Sequence, residues 1–181
     1  LYDLAWEKPP PLVERYLRME VDERIDANGN IQREVESADI EQAVERLLAE
    51  GVEAIAVCLL NSFANPVHEQ TVLEVLKTKA SHIPCCISFD VLPEMKEYER
   101  TSTTVINAYL LPVVSSYLAS LVRKLTEIGV NAPLLLMQSN GGLTTVEQAG
   151  RLPCHIIESG PAAGVVGAQA LSQASGIDDV V

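Results

Sequence analysis

The stretch Ala54–Phe89, AIAVCLLNSFANPVHEQTVLEVLKTKASHIPCCISF, is the part of the sequence that predicts the fold. It opens with Ala54–Leu60, where every residue is apolar, and closes with a second, mostly apolar run at Ile83–Phe89. Short runs that are apolar at consecutive rather than alternate positions are typical of strands buried on both faces, as in parallel sheets. We therefore predict two parallel strands joined by a right-handed crossover helix.

Helices are predicted on both sides of the first apolar run. The crossover helix starts at Asn65-Pro66, with the proline as its first residue, and continues to about Lys79. Ahead of the first run, Ser37 is the predicted N-cap and Gly51 the predicted terminating glycine of another helix. The inner face of the crossover helix is expected to carry Val72, Val75 and Leu76. The inner face of the earlier helix is expected to carry Ile40, Ala43, Val44, Leu47 and Leu48.

The remaining segments are also predicted to alternate between strand and helix. Asn28-Gly29 indicates a β-hairpin between residues 15–26 and 31–35. A helical pattern runs from about Glu97 to Ile128, and Pro112 predicts a kink or a break into two helices. Its expected inner face consists of Ile106, Tyr109, Val113, Tyr117, Leu121, Leu125 and Ile128. Further predicted elements are a buried strand at 133–137, a helical turn at 147–151, a strand at 154–157, a helix at 162–174 and the start of a strand at Val180-Val181.

The composition favours an α/β fold, with mostly parallel sheet layers and flanking helices. Apolar residues make up 48% of the chain and aromatic residues only 4%, so the core must be aliphatic. A formal net charge of −12 argues against nucleic-acid binding and against docking on anionic membranes. No uninterrupted apolar run approaches the ~20 residues of a membrane span, and no signal peptide opens the sequence.

The cysteines indicate a reducing compartment, and we expect a cytoplasmic protein. Cys58, Cys85, Cys86 and Cys154 form no CxxC pair, and the first three lie in apolar runs, where thiols act as small hydrophobic groups. A metal site built from His82, Cys85 and Cys86 is the alternative, but we predict that the chain holds no metal.

Two glycine-containing segments are the main candidates for ligand binding, because ligands of parallel α/β sheets bind beyond the carboxyl ends of strands. The first is Met137–Gly142 (MQSNGG), after the predicted strand 133–137. Its hydrogen-bonding side chains are Gln138, Ser139 and Asn140. Gly141 and Gly142 would let the backbone approach a ligand closely. An ordinary Asn-Gly turn, which needs no ligand, explains the same residues. The loop 61–65, after the first apolar run, is a further candidate.

The second segment is Ser159–Gly164 (SGPAAG). It places Ser159 as a candidate N-cap, followed by Gly160 and by the free amides of Ala162 and Ala163, and a helix start of this kind suits a phosphate group. The alternative is capping alone, with Gly164, Gly167 and Ala168 present only so that helix and sheet can pack closely. Neither GxxxxGK[ST] nor GxGxxG occurs in the sequence.

A third candidate is Arg100, within EYERTS at residues 97–102. Its guanidinium could clamp a carboxylate or a phosphate, or the segment could be a solvated helix start. His68, in the first turn of a helix expected to be exposed, and His155 have no acid nearby in sequence. Ser139 and Ser159 lack a GxSxG setting, so a serine nucleophile is not expected.

Three long strings together resemble the hydantoinase/oxoprolinase family. They are EYERTSTTVINAYLLPVVSSYL at 97–118, LLLMQSNGGL at 134–143 and ESGPAAGVVGAQAL at 158–171. ERIDANG, AVCLLNSFANPVHE and VLPEMKEYERTS resemble the family's amino-terminal part. The family includes 5-oxoprolinase, ATP-hydrolysing N-methylhydantoinase and a subunit of acetone and acetophenone carboxylases.

The resemblance implies an actin/sugar-kinase/Hsp70-like ATPase fold, ATP and Mg²⁺ as cofactors, and a cyclic amide or ketone as substrate. Residues 1–96 would close the amino-terminal region and 97–181 would open the catalytic region. The family's phosphate loops, of the types DxGGTFTD and DMGGTSTD, are absent from the sequence. We therefore expect an internal piece of a longer chain, which alone neither binds nor hydrolyses ATP.

The resemblance also implies roles for the candidate residues. Arg100 and Asn140 would be catalytic, with Arg100 neutralising developing charge. Substrate or phosphate would be held by Gln138, Ser139, Gly141, Gly142, Ser159, Gly160, Ala162 and Ala163.

The leading hypothesis is an ATP-dependent hydrolase of cyclic amides, with a second hydantoinase B-type subunit and an oligomeric state as implied partners. The alternatives are the nucleotide-handling subunit of an acetone-carboxylase-type complex, and a non-catalytic assembly module with a degenerate ATPase fold.

Overall fold

The computed structural model describes Ala5, Glu7, residues 9–177 and Asp179, and within them it shows an α/β arrangement of short strands and longer helices. The strands are β1 (Arg24–Ile25), β2 (Ile31–Arg33), β3 (Ile55–Val57), β4 (Cys85–Ile87), β5 (Leu135–Met137) and β6 (Leu143–Thr145). The helices are α1 (Ser37–Ala49), α2 (Val67–Lys79), α3 (Ser88–Val91), α4 (Glu97–Glu127), α5 (Val146–Arg151) and α6 (Ser159–Ser175). Short 3₁₀ turns occur at Arg15–Leu17 and Pro153–Ile156. The strand expected at Val180-Val181 lies outside the described residues.

The predicted strand–helix–strand unit is confirmed. β3 and β4 pair in parallel, with Ile55 opposite Cys85 and Val57 opposite Ile87, and α2 connects them. Both strands are short, but their residues are buried or half-buried, as expected for strands covered on both faces. This pair and the helices around it form the main hydrophobic core.

Helices α1 and α2 cover this parallel pair with the residues that their periodicity predicted. The core cluster includes Ile40, Val44, Val72 and Leu76, all at most 6% exposed. α1 ends at the predicted glycine: Gly51 has a φ of +71°, and the amide of the next residue reaches back to the carbonyl of the last helical turn. This is the geometry that glycine adopts without strain at a helix end.

The expectation of a mostly parallel sheet is wrong for the described residues. β1 pairs with β2 and β5 pairs with β6, both antiparallel, and neither pair joins β3–β4. Residues 133–137 therefore contribute one strand of a hairpin rather than a third buried strand, and Leu135 in this strand is 51% exposed. The physical reason is local closure, since a strand that can pair across a tight turn loses less chain entropy than one that must reach a distant sheet.

Helix α4 runs unbroken through Pro112, so the break into two helices is wrong. Its inner face is also different from the prediction, since Tyr109, Val113 and Tyr117 are between 61% and 79% exposed. The buried side chains are Arg100, Thr104, Asn107, Ala108, Leu111 and Leu118. These residues also recur at helical spacing, but half of them are polar and form hydrogen bonds in the interior. A prediction based on apolar periodicity therefore selected the opposite face of the helix as the buried one.

By length and composition α4 could cross a membrane, contrary to the sequence-based exclusion. Its most apolar window has a mean hydropathy of 1.7 and is 22% buried. The helix nevertheless packs along β3, β4, α5 and the turn at residues 153–156, and it buries Arg100 and Asn107 within the domain. These contacts are those of a helix in a folded domain, and length and hydropathy alone are weak evidence for a span.

Two predictions near the carboxyl end are wrong. Residues 154–157 form no strand, because Pro153 begins a 3₁₀ turn that ends at Ile156. Proline suits the first position of a helical turn since its missing N–H would be unpaired there. Helix α6 begins at Ser159, earlier than expected, and includes Pro161 in its first turn. The predicted helical turn at 147–151 (α5) and the terminating Gly176, with a φ of +67°, are confirmed.

Candidate functional site

The two glycine-containing segments singled out in the sequence lie side by side. The backbone N–H of Ser139 donates to the carbonyl of His155 at 2.8 Å, and the backbone N–H of Glu158 donates to the Ser139 hydroxyl at 3.1 Å. Ser139 therefore ties the MQSNGG segment to the residues that lead into α6. The fold thus places both segments in one region, although β6, α5 and the 3₁₀ turn at Pro153–Ile156 separate them in sequence.

The MQSNGG segment forms the turn of the β5–β6 hairpin. The N–H of Gln138 donates to the carbonyl of Gly142 at 2.8 Å, and the N–H of Gly141 donates back to Gln138 at 3.0 Å. The Asn140 side chain accepts a bond from the N–H of Gly142 at 2.8 Å. This last contact is an Asx turn, in which the side chain stabilises its own loop. Asn140, predicted to be catalytic, therefore has a structural role, and its catalytic role stays a prediction.

Gly141 is required by the geometry of this turn, and Gly142 lies close to two side-chain oxygens. Gly141 has a φ of +84°, and a Cβ placed there would lie 3.4 Å from Val166 in α6. A Cβ on Gly142 would lie 3.1 Å from the Asn140 oxygen and 3.3 Å from the Gln138 side-chain oxygen. The turn is therefore packed against α6 and has little room for side chains, whether or not a ligand binds.

The SGPAAG segment differs from its prediction in two details. The N-cap is Glu158 rather than Ser159, and no side chain caps this helix end. The N–H of Ala162 is not free, because it donates to the carbonyl of Glu158 at 3.2 Å. Ala163 lies one residue further into the helix, where an N–H also has an intrahelical partner. Because Pro161 has no N–H, the helix start offers the amides of Ser159 and Gly160.

The glycines of α6 do not serve close packing in the described part of the chain. A Cβ on Gly160, Gly164 or Gly167 would meet no atom within 4 Å. α6 buries none of its residues, and Val165 and Leu171 are each 70% exposed. The alternative explanation of these glycines, tight helix–sheet contact, is therefore wrong for the described residues.

Arg100 lies apart from these two segments, near the carboxyl end of β3. It is 1% exposed, and its guanidinium donates to the carbonyls of Glu94 at 3.1 Å and Leu59 at 2.8 Å. Phe63 stacks beneath it, with 5.6 Å between the guanidinium carbon and the ring centre. None of the ion pairs of the described chain involves Arg100, and its Nε has no hydrogen-bond partner.

A small pocket of about 270 Å³ lies beside this arginine. Its lining consists of Cys58, Leu59, Leu60, Glu97, Arg100 and Thr101. The observed bonds give Arg100 the role of holding the chain that leaves β3. Its predicted role in neutralising charge during a reaction stays a prediction.

Glu69 is a buried acid that the sequence analysis did not single out. It is fully buried, and its carboxylate accepts bonds from the N–H of Leu59 at 2.9 Å, the N–H of Phe89 at 3.0 Å and the hydroxyl of Ser88 at 2.6 Å. It therefore fastens together the chain segments that leave β3 and β4. The signal was present in the sequence, because Glu69 lies three residues before Val72 on the predicted inner face of α2.

His68 is buried rather than exposed, and acids surround it in space. Its Nδ1 lies 2.7 Å from a carboxylate oxygen of Glu23, and its Nε2 lies 3.3 Å from one of Glu34. The three side chains join the β1–β2 hairpin to α2. Because the two acids are distant from His68 in sequence, no local sequence pattern could have revealed this contact.

The loop at residues 61–65, also a candidate for ligand binding, holds the same hairpin. The Asn61 amide donates to the carbonyl of Ile25 at 2.8 Å, and the Asn65 amide donates to that of Gly29 at 2.9 Å. The N–H of Asn30 helps to lower the pKa of Asp26, whose carboxylate organises the hairpin turn. These bonds use the side chains that the sequence offered for a ligand.

The cysteines behave as expected for small hydrophobic groups. Burial raises the pKa of the Cys86 thiol to about 12 and that of Cys58 to about 11, so both are protonated at neutral pH. All four thiols are free. Within residues 9–177, no group of three or more His, Cys, Asp or Glu side chains is arranged to hold a metal ion, and this applies to His82 with Cys85 and Cys86.

Known protein families and individual proteins resemble this chain in sequence. The family model described as hydantoinase/oxoprolinase matches residues 100–181, and that of the hydantoinase/oxoprolinase N-terminal region matches residues 1–80. An uncharacterized protein of Methanocaldococcus jannaschii is 45% identical over 92% of this chain. The caprolactamase subunit alpha of Pseudomonas jessenii is 33% identical over 99% of it. The chain spans 24% and 26% of these two relatives, respectively.

Two solved structures share the fold. Nucleotide-free acetone carboxylase, described in connection with ATP-dependent acetone carboxylation, superposes with a TM-score of 0.82 at 30% identity, covering 94% of this chain and 24% of the other. The ATP-dependent caprolactamase of Pseudomonas jessenii superposes with a TM-score of 0.77 at 31% identity, covering 94% of this chain and 25% of the other.

Proposed function

Because this chain belongs to the hydantoinase/oxoprolinase family, we propose that the full-length protein is an ATP-dependent hydrolase that opens a cyclic amide. The observation that carries the proposal is the likeness to caprolactamase along almost the whole chain, in both sequence and structure. Since the chain spans about a quarter of that protein, the proposal concerns the enzyme to which this region belongs.

The site we propose is the surface where the MQSNGG turn meets the start of α6. Gln138 would position the substrate or its phosphorylated form, and the free amides of Ser159 and Gly160 would face negative charge. Ser139 joins the two segments, Gly141 allows the turn to lie against α6, and Gly142 leaves room for the side chains of Gln138 and Asn140. Catalytic roles for Asn140 and Arg100 stay predictions, and their contacts support a role in holding the backbone.

ATP and Mg²⁺ are proposed cofactors of the full-length enzyme. The described residues do not fit a magnesium site, because no cluster of acidic side chains is arranged for one. The start of α6 offers two free amides, but the preceding residue is Glu158, so these amides would hold a phosphate group only where a cation from another part of the enzyme offsets the Glu158 carboxylate. We therefore assign no step of the reaction to a nucleotide held by these residues alone.

The subunit name of the caprolactamase relative supports a partner protein as well. We propose that the enzyme works with a second, hydantoinase B-type subunit in an oligomeric assembly. A cytoplasmic location also stays a prediction, for which the four unpaired thiols are the supporting observation.

The second candidate is the nucleotide-handling subunit of a ketone carboxylase. The similarity to acetone carboxylase, with the higher TM-score of the two structures, favours it. Both functions use ATP, but they differ in the molecule that reacts with the organic substrate. Carboxylation needs bicarbonate, whereas ring opening needs water.

The deciding experiment is an assay of phosphate release by the full-length protein with MgATP. The panel contains caprolactam, 5-oxoproline, hydantoin, and acetone with and without bicarbonate. Phosphate release coupled to consumption of a cyclic amide supports the proposal. Release that requires acetone together with bicarbonate supports the carboxylase, and release coupled to neither substrate refutes both functions.

A matched pair of glutamine variants tests the proposed site. Gln138→Ala should lower kcat/KM at least about tenfold, because a hydrogen bond to a reacting group contributes on this order. Gln148→Ala removes the same side chain from an exposed position in α5 and should leave the activity unchanged. Equal activities of the two variants would argue against placing the site at this turn.

A further inference from the structure

Asn107 is a buried amide in the first half of α4, and both ends of its side chain bind backbone from another segment. It is fully buried. Its Nδ2 donates to the carbonyl of Arg151 at 3.2 Å, and its Oδ1 accepts from the N–H of Cys154 at 3.2 Å. Buried polar groups need such partners, so these two contacts hold the chain between α5 and the turn at residues 153–156 against α4.

The held segment also packs directly against α4 with apolar side chains. Pro153 is its only buried residue among positions 150–158, while Leu152 and Cys154 are half-buried against the cluster formed around Ala108 and Leu111. A 3₁₀ turn of this length has weak internal hydrogen bonding and depends on its surroundings. The two bonds from Asn107 add directional polar contacts to this apolar packing and fix the orientation of the turn.

The same segment supports both glycine-containing motifs. The carbonyl of His155 accepts the Ser139 N–H, and the N–H of Glu158 donates to the Ser139 hydroxyl. Glu158 is also the N-cap residue, directly before the first residue of α6. Asn107 and Ser139 therefore bind the same short stretch of backbone, residues 151–158, from its two sides.

We propose that Asn107 is a positioning residue, which sets the MQSNGG turn and the start of α6 at a fixed place relative to α4. The importance of Asn107 for activity rests on the proposed function. Its effect on the position of the MQSNGG turn is independent of that function. Asn107 touches neither motif directly and acts through the backbone of residues 151–158.

The test uses hydrogen exchange, followed by mass spectrometry, of the full-length protein. Asn107→Leu keeps the size of the side chain and removes both bonds. Amides in 138–142 and 153–158 should exchange about tenfold faster, because two hydrogen bonds contribute to the local opening free energy on this order. Amides of β3 should keep their rates, whereas β4 is no reference because the Asn107 side chain also interacts with Cys86.

Ser115→Ala is the matched control. Ser115 lies on the same helix, and its hydroxyl donates to the neighbouring carbonyl of Gly150 at 3.3 Å. It has no link to Cys154 or Ser139, so its loss should leave exchange in 138–142 unchanged. If Asn107→Leu does not fold, Asn107→Ala removes the same two bonds without requiring additional space.

Two outcomes would overturn the proposal: unchanged exchange in 138–142 in the Asn107 variant, or a uniform increase that includes β3. The second would mean that Asn107 supports only global stability. An activity assay adds an independent readout, since misplacement of the turn should lower kcat/KM about tenfold at a temperature well below the unfolding transition of the variant. Lack of any ATP-dependent ring opening or carboxylation by the wild-type protein would refute the proposed function, while the exchange data would still decide the role of Asn107.

Discussion

At the residue scale, the interior of this chain contains polar side chains that each join two segments of backbone. Glu69 binds the chain leaving β3 and β4, Arg100 binds the carbonyl of Leu59, and Asn107 binds residues 151 and 154. The Leu59 peptide is held from both sides, its N–H by an anion and its carbonyl by a cation. Charge-assisted bonds of this kind are stronger than neutral ones, which explains how two charged groups are tolerated inside a small core.

Glu69→Gln should lower the free energy of unfolding by about 2–3 kcal/mol, because a buried amide nitrogen would then face an N–H donor. Urea unfolding of the 181-residue chain, followed by circular dichroism, measures this change. Glu74→Gln is the control, since Glu74 lies on the same helix with its side chain 71% exposed and pairs only with Lys77. A surface pair of this kind contributes at most about 1 kcal/mol. Equal effects of the two substitutions would contradict the role given to Glu69.

Gly141 and Gly164 should respond to alanine in opposite directions. Gly141→Ala places a side chain at a φ of +84° and against Val166, so it should destabilise the hairpin by about 1–2 kcal/mol. Gly164→Ala lies inside α6 with open space around it and should stabilise the helix by up to about 1 kcal/mol. Thermal unfolding of both variants measures the difference. A Gly164→Ala protein that is stable yet inactive would show that a ligand approaches α6 at this glycine.

At the scale of elements, α4 shows how apolar periodicity can select the wrong face. Its outward stripe carries Tyr109, Val113 and Tyr117, whereas its inward stripe mixes Arg100, Thr104 and Asn107 with aliphatic residues. The inward polar groups are satisfied mainly by backbone from other segments, and a sequence pattern does not display those partners. The helix therefore buries the face that has specific hydrogen bonds rather than the face that is more apolar.

Adjacent residues of α4 offer a direct test of this assignment. Leu118→Ala should destabilise the 181-residue chain by about 2–4 kcal/mol, because Leu118 is 2% exposed. Tyr117→Ala, at a position 61% exposed, should change the stability by less than about 1 kcal/mol. Chemical denaturation of both variants is the measurement. The reverse order of effects would mean that α4 is rotated relative to the structure.

At the scale of the whole molecule, the described chain has a well-packed half and a sparsely packed half. The strand–helix–strand unit with α1 buries most of the core, whereas α6 buries none of its residues and leaves aliphatic side chains exposed. The proposed site lies in the sparsely packed half. Since the relatives are about four times as long as this chain, ATP-dependent chemistry is proposed only for the full-length enzyme.

The 181-residue chain alone should therefore not bind ATP in the presence of Mg²⁺. The described residues offer neither a cluster of ligands for the metal nor a glycine-rich loop that surrounds phosphates. Isothermal titration calorimetry is the measurement, with the full-length protein as the positive control. Micromolar binding by the short chain would show that residues 1–181 contain a complete nucleotide site.

The division of the chain at residues 96 and 97 and the actin/sugar-kinase/Hsp70-like architecture stay predictions. The structure shows that α4 packs on both β3 and β4, and that Cys86 and Val91 share a cluster with Ala108 and Leu111. The two predicted regions are therefore in direct contact. An experimental structure of the full-length protein with nucleotide would decide both predictions.

The sequence by itself determined the parallel β3–α2–β4 unit, the amphipathic α1, the hairpin at Asn28-Gly29 and the family. These features depend on neighbouring residues or on long specific strings, so a local pattern is sufficient to reveal them. Only the tertiary structure decided that β5 pairs with β6, that α4 buries its partly polar face, and that Ser139 joins the two glycine-containing segments. The physical reason is that a buried polar group is stabilised by a partner distant in sequence, as Asn107 is by residues 151 and 154, and folding alone brings such partners together.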